Sequence, residues 1–593
     1  MVSYREHFWR VGSVWVGLVA LGLASVRAER PTAPHLLPEK TLAYVRVASF
    51  PEAVEAFRNT SLGKILQDEQ MRPLVARLYQ SASEAFDQIK DRVGLSLDEL
   101  LQLPQGEACL ALVEAPQGPP VLVVIFDAGE KMPLAEKLLG RLYEELGAQG
   151  RAIQIDEHAG TRITHFPGLL GNAPLCIWDR DGTVVLTSNL ELAKQMIDLW
   201  PGTADVRTLA DNPAFAAIMK QSVGTQEERP QLSWFVDPIG IFRNVARGNF
   251  TLQAGLTLVT PLGLDGVEGI GGSWIMATEE FDSISHLHIL VRSPRRAIPK
   301  MIALVAGDNE PESWVPKDVV TYMTLHWDFQ TTLSELTSIY DLIRLEEGAF
   351  ARLLEERVST PLGVDFQKEL VPVLEGRVTF ATLIERPIRL NSQVTVVGIK
   401  VKDAAKAESL LARIVAKFPE VFEKQAYGTA TVYRIRVPER PRPEADGQMI
   451  RTPEPALAMV GDYVLLTDSI KALQQCLATQ RTPGQSLADD LEYKLVASRI
   501  ARHVGGRTPA LVAFARPEES MRFLYELATA ETSRRRLSQA AENNGFFRAI
   551  DSALQEHPLP PFEVIAKYLA PSGSVMVSDE TGFHYVAFAL KRE

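Results

Sequence analysis

At 593 residues, with 46% hydrophobic and 23% charged side chains, the chain has a globular composition and enough length for two or more cores. A formal net charge of −12, with no basic stripe interleaved with aromatics, argues against nucleic acid as a partner. Three cysteines, Cys109, Cys176 and Cys476, are too few for a disulfide framework. Cys109 and Cys176 fall in strand-like runs and can pair only if those strands are neighbours; small buried thiols are the default.

In chain order, Arg5 and Arg10 precede an apolar run over Val11–Leu23, and Val26-Arg27-Ala28 offers the residue sizes that signal peptidase reads. Residues 1–28 therefore read as a signal peptide, and the expected location is the periplasm or cell envelope. The run falls short of the roughly 20 apolar residues of a bilayer span, and an uncleaved N-terminal anchor is the alternative. No later segment is apolar for long enough to span a membrane once the signal is cleaved.

The remainder reads as a tandem duplication, a first copy over 29–292, a connector over 293–313 and a second copy over 314–593. Val93–Gly147 runs short helix, Gly turn at Gly106, strand, strand, amphipathic helix, and Leu362–Glu420 repeats that order with Gly376 at the turn. Upstream, Pro38 and Tyr44 match Pro316 and Tyr322 at the start of a strand in each copy. Downstream, Leu175–Ser188 matches Leu457–Asp468 as hairpins turning at Asp179–Gly182 and Gly461-Asp462. The closing strands Gly272–Ala277 and Ile284–Val291 match Gly573–Ser578 and Phe583–Leu590. The second copy carries insertions near 438–455 and 517–557. Most strands alternate apolar and polar residues, so the expected fold class is α+β, each copy a mainly antiparallel sheet with helices packed on one face.

Residues shared by the copies are turn formers and strand residues, with no His, Cys or carboxylate pair among them; Glu107 and Cys109 have no match. His286 and His288, spaced i and i+2 on one strand, are candidate metal ligands with His584 as a third. The competing expectation places them on the solvent face, alternating with Leu287 and Ile289. Gly266–Gly272 lacks the strand–turn–helix context of a phosphate loop and is expected as a flexible turn. Arg534, Arg535 and Arg536 sit together in a charge-dense helix within the second insertion. They read as a solvated face, or more sharply as a docking site for an acidic partner or an anionic envelope surface. No catalytic, cofactor-binding or metal site is assigned, and no cofactor is expected.

The formula Leu37-Pro38-x-x-Thr41-x-x-Tyr44-Val45-x-Val47, followed by Ser61-Leu62-Gly63-Lys64-Ile65-Leu66, resembles an uncharacterised family of large exported bacterial proteins known only as a domain of unknown function. The resemblance is strongest over residues 36–147. It implies export and brings no catalytic residue, substrate or cofactor. The expected function is therefore a non-catalytic envelope protein that binds or scaffolds an unidentified envelope protein or ligand. The alternatives are an exported hydrolase or metal-dependent enzyme using His286, His288 or His584, and a carrier of an apolar ligand or lipid on a curved sheet.

Overall fold

The computed structural model describes residues 30–592 except 171–172, 203–205, 224–228, 248, 429 and 438–449. The signal segment and most of the insertion at 438–455 lie outside the described residues. In the first half the strands are β1 Thr41–Val47, β2 Ala108–Val113, β3 Val121–Asp127, β4 Gln154–His158, β5 Thr161–Leu170, β6 Ala173–Arg180, β7 Thr183–Thr187, β8 Leu232–Val236, β9 Val267–Met276 and β10 Phe281–Val291. In the second they are β11 Thr321–His326, β12 Leu374–Ile384, β13 Gln393–Val401, β14 Phe422–Tyr427, β15 Ala430–Ile435, β16 Ala456–Val460, β17 Tyr463–Thr467, β18 Leu511–Ala515, β19 Ser572–Asp579 and β20 Gly582–Leu590.

Local chemistry sets these elements. In β3, Val121, Val123 and Ile125 are buried while Leu122 on the other face is exposed, the two-residue period of a strand. The β6–β7 hairpin turns at Asp181 and Gly182, whose φ values of 52° and 80° are the left-handed pair that a two-residue turn requires. Each hairpin leads into a capped helix. Asn189 accepts from the amide of Leu192 at 2.9 Å to start Leu190–Leu199, and Ser469 accepts from the amide of Ala472 at 3.1 Å to start Ile470–Arg481.

All twenty strands among the described residues belong to one sheet, and every neighbouring pair is antiparallel. From one edge, the first half runs β4-β5-β6-β7-β3-β2-β1-β8-β9-β10. β10 then pairs with β20. The second half continues β20-β19-β18-β11-β12-β13-β17-β16-β15-β14 to the far edge. Counted outward from the β10–β20 seam, the two halves order their ten strands identically. The core also crosses the seam, since Ile275, Phe281 and Ile284 of the first half pack in the cluster that holds Val586, Phe588 and Leu590.

Helices cover both faces of the sheet, not one. In the first half, Leu192, Ala193, Met196 and Ile197 pack on Cys176, Trp178 and Val185, whereas Ala135, Leu139 and Leu146 pack on Ile177 and Val184. Alternate strand residues point to opposite faces, so these helices lie on opposite sides. Outer strands covered on both sides carry apolar residues at consecutive positions, which masks the alternation.

The glycines of Gly266–Gly272 do not form a flexible turn. Gly269, Gly271 and Gly272 lie in β9, where a Cβ at Gly271 would come within 2.9 Å of Ile218 Cγ2 and 2.5 Å of the Trp234 carbonyl. Their absent side chains let the helix Pro213–Gln221 press onto the strand. Gly573 in β19 does the same for the helix Leu491–His503, since a Cβ there would sit 2.4 Å from Val496 Cγ1.

Candidate functional site

The histidines are not on the solvent face. His286, His288 and His584 are only 3, 1 and 7% exposed. Their strands are the middle two of twenty, and the helix Pro213–Gln221 packs on β9 and β10, so alternation correctly separated two faces without revealing which one is covered. His288 is the direct cross-strand partner of His584. The His584 ring stacks on His286 at 5.6 Å between centroids and tilts against His288 at 5.7 Å. Both ring nitrogens of His286 and His288, and Nδ1 of His584, are buried without a hydrogen-bond partner.

Burial drives the His286 pKa down from 6.5 to about 4, assisted by His503, and drives His584 to about 3, assisted by His286 and His288. His288 shifts the same way for the same first cause. The cluster is therefore buried and neutral at ordinary pH. Among the described residues, no group of three or more His, Cys, Asp or Glu side chains is arranged to hold a metal ion. The three candidate ligands come together, but as packed rings.

The free surface chemistry lies on the opposite face. Directly paired strand residues share a face, and one such row runs Trp274–Ser285–Ala587–Ser574–Ala513–Met323–Phe380 across β9, β10, β20, β19, β18, β11 and β12. It floors a groove of about 650 Å³ that extends to Thr395 on β13 and is lined by Ser283, Ser572, Thr321, Thr382, Ala515 and Ala589 among others. Among the described residues, the lining contains no carboxylate, amine, guanidinium, imidazole or thiol. Its ionisable groups are the phenols of Tyr322 and Tyr585, and burial raises Tyr322 well above its ordinary range. A surface of this kind offers van der Waals contact and hydroxyl hydrogen bonds. Toward the first half the same face carries the exposed side chains of Trp274, Val45, Leu110 and Leu122.

Buried charge sits elsewhere, in two networks at matched positions. In the first half Glu107 is bridged by Arg30 at 2.7 Å and by Arg46, and it accepts the amide of Ala33 at 3.1 Å; Arg30 also reaches Asp127 at 2.7 Å. In the second, Arg377 meets Glu312 at 3.0 Å, and Glu312 also accepts from Tyr322 at 3.3 Å, Tyr463 at 3.2 Å and Thr379. Burial opposes the charge of Arg46 and of Arg377, and the facing glutamate together with neighbouring tyrosines more than offsets it, so both guanidiniums are held above their ordinary pKa. The cysteines are buried free thiols, and burial pushes Cys176 and Cys476 up to about 12, so they are unreactive and Cys109 and Cys176 do not pair.

Sequence reasoning missed both the groove and the networks. The groove had a signal, small residues two apart in Ser572/Ser574, Ala513/Ala515 and Ala587/Ala589. The networks had one in the lone charges of otherwise apolar strand segments, Glu107 and Arg377.

The architecture is that of an α+β protein built on one large antiparallel sheet. Residues 316–553 match a family model described as a protein of unknown function (DUF3352). The match covers the second half, outside residues 36–147. No curated protein and no solved structure matches the chain. No helix among the described residues is long and apolar enough to cross a membrane.

Proposed function

We propose that the chain is an exported, non-catalytic binding protein that holds a neutral, largely apolar ligand on the open face of its sheet. The observation that carries this reading is the uncharged lining of the 650 Å³ groove, a volume within the range that small-molecule sites occupy. We read the two halves as tandem copies, a view supported by their identical strand order and by the matched glycines of β9 and β19. On that reading duplication built the groove, since its floor joins β10 of one copy to strands of the other.

The test is saturable binding of a neutral apolar fluorophore, N-phenylnaphthylamine, to the protein and to Ala587→Trp, which fills the groove floor. Affinity should fall at least about tenfold, or ~1.4 kcal/mol, with the thermal transition little changed. Equal binding to both proteins, or enhancement that never saturates, overturns the groove as the binding site.

A further inference from the structure

The open face of the sheet extends well beyond the groove, and its chemistry changes at the seam. The row that floors the groove continues from Trp274 on β9 through Leu232, Val47, Ala108 and Phe126 on β8, β1, β2 and β3. The adjoining row on the same five strands is Gly272, Trp234, Val45, Leu110 and Val124. These ten positions hold no hydroxyl, carboxamide or charged side chain. Of the ten, only Gly272 is buried, while Trp274, Val45 and Leu110 are 41, 42 and 50% exposed. Single exposed apolar residues are ordinary, but a contiguous field of them marks a binding surface.

The field has a definite length. Beyond β3 the same face reaches Leu186 and Ile177, where the helix Met132–Ala148 packs over it. From β9 to β3 is four strand spacings, about 19 Å. Across the seam, polar groups enter. Ser285 and Ser574 lie in the row through Trp274, and the row beside it, away from Gly272, carries hydroxyls at Ser283, Ser572, Thr321, Thr382 and Thr395. The face is thus wholly apolar over the first half, and hydroxyl-bearing yet uncharged over the groove.

We propose that this face binds an uncharged acyl lipid of the acylglycerol class, its acyl chain laid across the first-half strands and its ester and hydroxyl head in the groove. The inference rests on the groove reading and extends it to a second, apolar area. One acyl chain spans half of a bilayer's hydrocarbon core, about 15 Å, which fits within the field. The groove hydroxyls can donate to an ester carbonyl and accept from a glycerol hydroxyl. A carboxylate or phosphate head would instead leave water for a lining that offers no counter-charge.

Calorimetric titration of the chain from Glu29 onward with monooctanoin, monodecanoin and monolaurin, each below its micelle-forming concentration, tests this. Affinity should rise roughly tenfold for each two methylenes added. Laurate should bind at least about tenfold more weakly than monolaurin. Leu110→Asp sets a charge in the path of the chain, and should weaken monolaurin at least about tenfold and flatten the chain-length series. Val45→Gln should do the same to a smaller extent. Both side chains are exposed, so thermal transitions should match the parent's, and N-phenylnaphthylamine in the groove should bind both variants as it binds the parent. Undiminished monolaurin binding by both variants, affinity independent of chain length, or laurate binding as tightly as monolaurin overturns the proposal. If N-phenylnaphthylamine is then still lost in Ala587→Trp, the groove reading stands without it; no saturable uptake of either probe overturns both. A dimer in light scattering that Leu110→Asp disperses, with no monolaurin uptake, would overturn the proposal in favour of a second copy on this face.

Discussion

The two halves of the sheet place opposite charges at the same point of the fold. Counting back four residues from Ala111, which pairs with Tyr44, leads to Glu107; counting back four from Ala381, which pairs with Tyr322, leads to Arg377. In each half the counter-charge comes from the segment leading into the first strand, Arg30 in one and Glu312 in the other. Both networks pin that leader across the sheet, and both are deep, Glu107 being 5% and Glu312 8% exposed. Each half thus closes an ion pair at this location, with opposite polarity. A catalytic group would not tolerate such an exchange, because a carboxylate and a guanidinium do opposite proton chemistry.

The comparison also separates what each half can do alone. Their strand orders agree, yet neither is closed, because β10 pairs with β20 along its length from Phe281 to Leu290. The largest expected effect follows from cutting there. A fragment spanning 29–292 should fail to stay a folded monomer, exposing a long unpaired edge together with His286 and His288. Light scattering should find dimers or aggregates. A monomer with one cooperative melt would show that the halves are autonomous and that the seam is only a contact.

The next largest effect concerns the charge exchange itself. Glu312→Gln leaves the buried Arg377 with only the solvent-exposed Asp308, 3.5 Å away, as a counter-charge, and should cost about 3–5 kcal/mol in denaturant unfolding. Glu107→Gln should cost less, about 1–3 kcal/mol, because Arg30 keeps Asp127 and the Arg46 side chain is 21% exposed. Replacing Glu312 and Arg377 together by Met should recover most of the loss. Equal costs for the two single variants would remove the asymmetry inferred from the contacts.

A pH-dependent effect sharpens the seam. For His286 and His584 the folded pKa lies below the unfolded value of 6.5, so above that pH neither state takes up a proton and stability is complete. As pH falls below 6.5, the unfolded chain binds protons that the buried rings refuse. Stability then declines until the folded values near 4 and 3 are reached. The slope is about 1.4 kcal/mol per pH unit for each histidine, or roughly 2–3 kcal/mol each by pH 4.5. Other groups face the cluster from neighbouring elements. His503 and Arg507 disfavour added charge there, and Asp579 favours it. Unfolding at pH 7.5 and 4.5 should show the acid loss shrink in His584→Gln; an unchanged loss would place the titrating groups elsewhere.

Strand positions, hairpin turns and the α+β class were legible in the sequence because each is a local property: period-two burial in β3, left-handed residues at Asp181-Gly182, caps at Asn189 and Ser469. What local pattern could not supply was which face of a strand meets water. His286 and His288 alternate with Leu287 and Ile289 whichever side is covered, and only the arrival of β20 on one flank and β9 on the other, with a helix above, decides that the histidines are the buried ones. The pairing of Glu312 with Arg377 and of Arg30 with Glu107 joins residues far apart in sequence, and opposite polarity concealed that the positions correspond. The groove depends on tertiary structure most of all. Its residues, small or aromatic, are unremarkable singly and drawn from seven strands, and they become a surface only when the seam brings them side by side in one sheet.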